Sequence, residues 1–350
     1  MNFNRILGKV VNLEQSAANL FYREASGDHI VSNLDTIPSV SNLIHKEAQR
    51  PYVGINNKLS EHRPKHQFIS KKQFGYYLAG VIDGHGSISK DYNKITITFH
   101  KDDISLSLRL RSYIGYGKVS KRSINSVTYV ITHTIGLIYI SNLIYGKIMF
   151  KSKINNLNLL IERLNQKLNL DSKSLGICTK LLSSNNRRNM EFNELFKTSN
   201  TEINQIFKTG YLAGLIDTDG SLRIRILNRK RKSGNFIKEV RLGLRIELKE
   251  KDRYVLDLIY KEIGGNLYNR YHTKSNTRSI CYDTVSFARI YIILKYLDKF
   301  HLQSKQYLRY TILRKAYLLI QHKKHLTPYG MEKIQKYHKT ITNIYKDKDK

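Results

Sequence analysis

The chain has 350 residues, and its 60 Lys+Arg against 28 Asp+Glu give a formal net charge of +32. A hydrophobic share of 41% with 24 Tyr and 12 Phe supplies real cores and excludes a wholly disordered basic tail. Two cysteines, Cys178 and Cys281, exclude a disulfide-stapled scaffold or a cysteine-rich zinc module. No apolar run reaches the ~20 residues that cross a bilayer. With no membrane span and no basic amphipathic anchor, the positive charge points to nucleic acid rather than a membrane as partner.

Residues 1–70 are polar and mixed, hold Pro38, Pro51 and Pro64, and read as a leader, partly disordered, with short helices at most, for example Asn12 to Arg23. Met1 to Ala25 lack the apolar segment of a signal peptide, and Glu14 and Glu24 count against a mitochondrial presequence. From Lys71 the character changes, because an internal repeat begins. Tyr77-Leu78-Ala79-Gly80-Val81-Ile82-Asp83-Gly84-His85-Gly86-Ser87 recurs 134 positions on as Tyr211-Leu212-Ala213-Gly214-Leu215-Ile216-Asp217-Thr218-Asp219-Gly220-Ser221. Downstream, His100-Lys101-Asp102 matches Glu250-Lys251-Asp252, and Ile114-Gly115 with Gly117 matches Ile263-Gly264-Gly265. A longer basic insertion, Asn228 to Lys238, widens the offset in the second copy.

Both copies follow one pattern. An apolar helix ends at glycine, and strands of strict period two follow. Ile95, Ile97 and Phe99 alternate with Lys94, Thr96, Thr98 and His100; Leu222, Ile224 and Ile226 alternate with Arg223 and Arg225; Leu242, Leu244, Ile246 and Leu248 alternate with Arg241, Arg245 and Glu247. That period marks a half-buried antiparallel sheet with one polar face. A helix (Asp102–Ile114, Asp252–Ile263), two more strands (Lys118–Ser123 and Ser126–Thr132; Asn266–His272 and Ser279–Ser286) and closing helices complete an αββαββα order, twice, in an α+β fold. The expected organisation is a leader (1–70), a first repeat (71–170), a linker (171–205), a second repeat (206–325) and a basic C-terminal tail (326–350).

Glycine inside a helix costs roughly 1 kcal/mol relative to alanine, so Gly80 and Gly214 imply that another backbone comes close. Two such helices are expected to pack on each other around a pseudo-twofold axis. Asp83, Asp217 and Asp219 stand near the helix C-termini, where a carboxylate opposes the helix dipole and calls for a cation.

Leu212 to Gly220 differs at one position from the nine-letter sequence that names the LAGLIDADG homing endonucleases, and Leu78 to Gly86 matches less fully. Over about residues 71 to 325 the chain resembles that family. The resemblance implies saddle-shaped sheets and makes Asp219 a ligand of the catalytic Mg²⁺ (or Mn²⁺), with Asp83 and Asp217 as structural acids. The matching first-copy position is His85, counted with Asp219 among the catalytic and metal-site residues. Its imidazole suits Zn, Cu, Fe or Ni better than a hard ion. Weakened ion binding then leaves two outcomes open, nicking or slow cleavage on one side and loss of cleavage on the other. His100 and Glu250 occupy the strand-to-helix corners. Lys151 looks like the first copy's catalytic lysine, with Gln303 as its counterpart and Lys305 nearby.

A two-stranded ribbon fits the major groove, where Arg and Lys read guanine edges. Arg223, Arg225, Arg229, Lys230, Arg231, Lys232, Arg241 and Arg245 form such a ribbon; the first copy offers Ser87, Ser89, Lys90, Lys94, Thr96 and Thr98, and some of these contact phosphate alone. The resemblance therefore implies a monomeric, mitochondrial, intron-encoded enzyme that cleaves a long double-stranded DNA site. The rival is a maturase that binds group I intron RNA and assists splicing without cleaving. A structural RNA-binding protein on the same scaffold is the third.

Overall fold

A computed structural model of the chain describes residues 58–170, 206–230, 234, 236–273 and 276–344. The two repeated motifs form helices α1 (Lys71–His85) and, in the second copy, Tyr211–Asp219, which is α5 in chain order. After α1 come β1 (Gly86–Ile88), β2 (Ile95–His100), a 3₁₀ turn over Lys101–Asp103, α2 (Ile104–Ile114), β3 (Lys118–Ser123), β4 (Ser126–Ile131), α3 (Thr134–Ile144) and α4 (Lys151–Leu170). After α5 come β5 (Gly220–Lys230), β6 (Phe236–Lys249), a 3₁₀ turn over Glu250–Asp252, α6 (Arg253–Ile263), β7 (Asn266–His272), β8 (Thr277–Thr284), α7 (Phe287–Lys299) and α8 (Gln306–Gln321). A further helix, α9, spans Pro328–Asn343. The sheets are antiparallel with orders β1-β2-β4-β3 and β5-β6-β8-β7, so the expected α+β fold of two αββαββα repeats is present.

The period-two strands bury the residues their pattern selects, except Ile226, which is only half-buried where β5 runs out beyond the core. Ile95, Ile97 and Phe99 are in the core, as are Leu222, Ile224, Leu242, Leu244, Ile246 and Leu248, while the alternate residues stay partly open. Register corrects one sequence match. Gly86 pairs with Ile97 and Gly220 with Ile246, so His100 corresponds to Lys249, and the buried pair Asp103 and Asp252 correspond to each other. Matching by letters set His100 against Glu250, one residue out. In a sheet a slip of one exchanges the two faces, so pairing overrules local identity.

The helix pair meets backbone to backbone. A Cβ on Gly80 would lie 2.1 Å from the Tyr211 carbonyl oxygen, and one on Gly214 would lie 2.1 Å from that of Tyr77. The two glycines therefore accept their helix cost because no side chain fits between these helices.

Two segments differ from expectation. The stretch from Lys58 to Gln67, assigned to the leader, lies along the second repeat. Leu59 exchanges hydrogen bonds with the Gln321 side chain (2.8 and 3.1 Å), and Gln303 donates to the Gln67 carbonyl at 3.0 Å. Buried Arg314 donates to the carbonyls of Ser60 (2.8 Å) and His62 (3.0 Å) and pairs with Asp298 at 3.1 Å. The backbone of this stretch thus finds partners on α8 and the turn before it, which no local sequence pattern announces. Within the supposed tail, α9 begins on a cap supplied by Thr327, whose hydroxyl accepts from the Gly330 amide at 3.1 Å, and the helix buries Ile334 and Ile341.

Candidate active site and nucleic-acid interface

The helix ends are fixed by Asp83 and Asp217. Asp83 accepts from the Tyr211 hydroxyl (2.6 Å) and from the amides of Met149 (2.7 Å) and Phe150 (3.3 Å), just before α4. Asp217 accepts from the Tyr77 hydroxyl (2.8 Å), from the amides of Gln303 (2.7 Å) and Ser304 (3.2 Å), and from the Ser304 hydroxyl (2.5 Å), just before α8. Each acid thus ties its helix to the partner helix and to the last turn-in of its own repeat. Burial pushes both carboxyls up to about 6, against the pull of these hydrogen bonds.

Asp219 ends α5 and His85 ends α1, with Nε2 of His85 3.8 Å from Oδ1 of Asp219. Their side chains are 37% (His85) and 24% (Asp219) exposed, so they are walled by protein yet reachable by a ligand. Gly84 makes this approach possible: a Cβ there would lie 2.0 Å from the Thr218 hydroxyl oxygen and 2.8 Å from Oδ2 of Asp219. Burial raises the Asp219 carboxyl to about 7; Lys153 pulls it down, Asp83 and Glu247 push it up, and Lys249 pulls it down. Burial, then the Lys153 charge, lowers His85, which favours neutral imidazole.

The lysine at these helix ends is Lys153, not Lys151. Its ammonium donates to the Ile82 carbonyl at 2.6 Å and to the Asp83 carbonyl, on the C-terminal turn of α1 where the helix dipole attracts a cation. Burial lowers its pKa, opposed by Asp83, Asp219 and Asp252. Lys151 is exposed, with its nitrogen 5.7 Å from the Tyr254 ring centroid. The amides that serve Asp83 and Asp217 show that Lys151 corresponds to Lys305 and Lys153 to Tyr307. Gln303, the expected counterpart, is buried and donates to the carbonyls of Gln67 and His301. Lys305 pairs with Asp102 at 2.7 Å. Two residues along a helix point to nearly opposite sides, and the sequence alone does not say which lysine turns inward.

The chemistry of the donor set decides where a divalent ion fits. Among the described residues no group of three or more His, Cys, Asp or Glu side chains converges on one point. Mg²⁺ is usually held by one or two carboxylates, keeping several waters and taking substrate phosphate oxygens. Asp219, partly open, fits one such ion. The first-copy end does not fit another, because an imidazole stands there and Lys153 already supplies the positive charge.

The outward face of the second sheet carries Arg223, Arg225, Arg229, Arg241 and Arg245; Lys230, at the exposed end of β5, has the opposite parity and points to the other face, and Arg231 and Lys232 lie outside the described residues. Lys90 and Lys94 are exposed in the β1–β2 connection. Three carboxylates organise the basic face: Glu247, which strand alternation places outward, and Glu239 and Asp283, which no sequence pattern announces. Glu239 pairs with Arg241 (2.8 Å) and Arg229 (3.7 Å), and Glu247 pairs with Arg270 (3.0 Å) and His272 (2.5 Å). Asp283 pairs with Arg223 and, at 3.4 Å, with Arg245. Glu239 and Arg241 are two residues apart on β6, whereas the other pairs come together only because neighbouring strands pair.

The family model described as LAGLIDADG endonuclease matches residues 212–317. An uncharacterized cox1 intron-2 37.2 kDa protein of Schizosaccharomyces pombe is 34% identical over 311 residues, covering 87% of this chain and 85% of that protein. The intron-encoded DNA endonuclease aI3 of Saccharomyces cerevisiae is 25% identical over 295 residues, covering 76% and 68%. Among solved structures, the I-SmaMI LAGLIDADG homing endonuclease bound to cleaved DNA superposes with a TM-score of 0.56 at 20% identity, covering 79% of this chain and 97% of that one. LAGLIDADG meganuclease I-CpaMI bound to uncleaved DNA gives 0.53 at 19% identity, covering 76% and 98%. Helix pair, sheet order and relatives agree, and the chain belongs to the LAGLIDADG endonuclease family.

Proposed function

We propose that this protein is an intron-encoded, mitochondrial enzyme that binds a double-stranded DNA site as a monomer and hydrolyses phosphodiester bonds within it, using Mg²⁺ or Mn²⁺. The observation that carries this is the meeting of Asp219, His85 and Lys153 at the ends of two helices packed backbone to backbone. The cox1 intron origin of the relative in S. pombe supports the location. Held by Asp219, a divalent cation would supply Lewis-acid stabilisation of charge developing on the phosphodiester. The chain's own groups do the rest. Lys153 places a fixed ammonium beside Asp219, favouring its ionised form and an incoming phosphate. Neutral His85 offers a hydrogen bond to phosphate but no carboxylate. The two strands of a duplex therefore meet unequal chemistry, and nicking precedes linearisation.

The test is a supercoiled plasmid carrying the intronless junction, incubated with Mg²⁺ or Mn²⁺. Nicked product ahead of linear product is expected, abolished in Asp219→Asn, and His85→Asp should speed linearisation. Cleavage that survives Asp219→Asn would remove Asp219 from the chemistry.

The lone carboxylate also favours a second reading, a maturase that holds group I intron RNA and cuts nothing. Filter binding to intron RNA, with splicing followed alongside, tests it; RNA affinity no greater than for unrelated RNA excludes it.

A further inference from the structure

Strand register places a carboxylate between two of the arginines assigned to DNA. Asp283 on β8 lies directly opposite Arg245 on β6, and Arg223 on β5 lies directly opposite Gly243 on β6. All four are on the outward face, since 243 and 245 share a face and each pair is in register. Arg223 reaches Asp283 by crossing β6 where that strand has no side chain: a Cβ on Gly243 would stand 3.2 Å from Nε of Arg223. Nη2 of Arg223 meets Oδ1 of Asp283, and Nη2 of Arg245 is 3.4 Å from Oδ2. One carboxylate thus holds guanidinium groups from two strands, one on each oxygen. Arg245 also rests over the Tyr268 ring, 5.9 Å from its centroid.

These arginines differ from their neighbours. The side chains of Arg223 and Asp283 are 15% exposed and that of Arg245 is 27% exposed, whereas Arg229, on the same hairpin, is 69% exposed. A free, mobile arginine mainly adds attraction to phosphate, which is independent of sequence. A guanidinium with one edge on a carboxylate keeps further N–H donors in a fixed plane. Because two guanidiniums share this one carboxylate, the trio carries one positive charge instead of two, so its phosphate attraction falls while the direction of each guanidinium is set. Fixed planar donors are what bidentate recognition of a guanine edge requires.

We infer that Asp283 is a specificity-determining positioning residue: it sets Arg223 and Arg245 as a rigid pair that reads neighbouring base pairs under the second repeat, and Gly243 is the gap that lets Arg223 reach it. This rests on the DNA-binding function proposed above.

The test is selection from a pool of random-sequence DNA duplexes by the whole protein, in wild-type form and as Asp283→Asn, Arg223→Gln and Arg245→Gln. Asp283→Asn should bind random duplex several-fold more tightly, with the slope of log affinity against log salt steeper by about 1, the value for one more phosphate contact. It should lose its base preference at the one or two neighbouring positions also lost in the two arginine variants, with preference elsewhere unchanged. Gly243→Ala, which keeps all three charges, should lose preference at the Arg223 position. Unchanged base preference in Asp283→Asn overturns the inference, as does preference lost evenly at all positions together with a lowered Tm, the signature of a sheet staple. If the wild type itself enriches no duplex, DNA recognition by this chain falls and the inference falls with it.

Discussion

The Tyr211 hydroxyl donates to Oδ2 of Asp83 at 2.6 Å, across the interface between the two motif helices. The same oxygen takes two amides from the chain entering α4, whereas Oδ1 is buried with no hydrogen-bond partner among the described residues. The acid that the motif repeats most faithfully is therefore a joint between helices. The acid that is free to take a ligand, Asp219, lies two residues beyond its counterpart Asp217 and has no carboxylate partner at position 85.

Asp83 should give the fold a pH dependence of definite sign. Burial moves its pKa from 3.8 to about 6. Between those values the folded chain keeps a proton that the unfolded chain has released, so this group's contribution is fully present below about pH 4 and is lost as pH rises through 6. Asp83→Asn cannot lose that proton. The stability of the variant relative to wild type should rise between pH 4 and pH 7 by up to about 3 kcal/mol, two pKa units' worth. Denaturant unfolding across that range checks it, because the buried histidines titrate in both proteins and cancel. A difference independent of pH would show that Asp83 is ionised throughout.

Lys153 and Lys151 should separate cleanly. Lys153 touches the carbonyls that end α1 and acts on Asp219, whereas Lys151 is exposed beside Tyr254. Lys153→Met should slow plasmid nicking by about 10²-fold, the scale of a lost electrostatic group at a reacting phosphate. Lys151→Met should stay within about threefold of wild type, by the small worth of an exposed charge. Duplex binding without divalent ions serves as control and should hold in both. Equal losses would remove the distinction between the two lysines, and a larger loss in Lys151→Met would return the catalytic assignment to Lys151.

The helix pair, the two sheets and the order of elements were legible because they rest on local signals: small residues at Gly80 and Gly214, and strict alternation from Ile95 to Phe99 and from Leu242 to Leu248. What was not legible depends on distant chain. Lys153 turns inward because the amides of Met149 and Phe150 bind Asp83 and so fix where α4 begins. Asp283 reaches Arg223 through a register spanning three strands, and Arg314 finds the Ser60 and His62 carbonyls 254 and 252 residues away. Matching the copies by letters also put His100 against Glu250, because Lys-Asp recurs one place out of register.

Arg314 should hold residues 58–67 against the second repeat. Its side chain is 3% exposed and satisfies two carbonyls as well as Asp298. Arg314→Met keeps the aliphatic stem but leaves Asp298 and both carbonyls short of a donor. A loss of about 3 kcal/mol is expected, the lower end for breaking a buried pair. Hydrogen exchange should quicken at residues 59–67 well before it quickens in α1 and α5. Exchange that quickens uniformly would mean that the segment has no separate attachment.

Gly214 and Gly210 stand four residues apart at the second motif helix and should respond unequally to alanine. At 210 a Cβ meets the Gln73 oxygen and the Tyr77 Cβ at 3.4 Å, which is ordinary contact. Gly210→Ala should therefore change stability by less than about 1 kcal/mol, the scale of a helix N-cap exchange. At 214 a Cβ falls 2.1 Å from the Tyr77 oxygen and 2.9 Å from the Val81 nitrogen, both backbone atoms. Alanine would gain roughly 1 kcal/mol of helix propensity. Overpacking typically costs ~1–3 kcal/mol where side chains can give way, and backbone cannot give way without parting the helices. The clash therefore wins, with a net loss of about 2 kcal/mol or more. Parting the helices would also move Asp219 away from His85, so nicking should fall further than stability alone accounts for, measured well below the Tm. Gly214→Ala at wild-type stability would mean that the helices do not meet at this glycine.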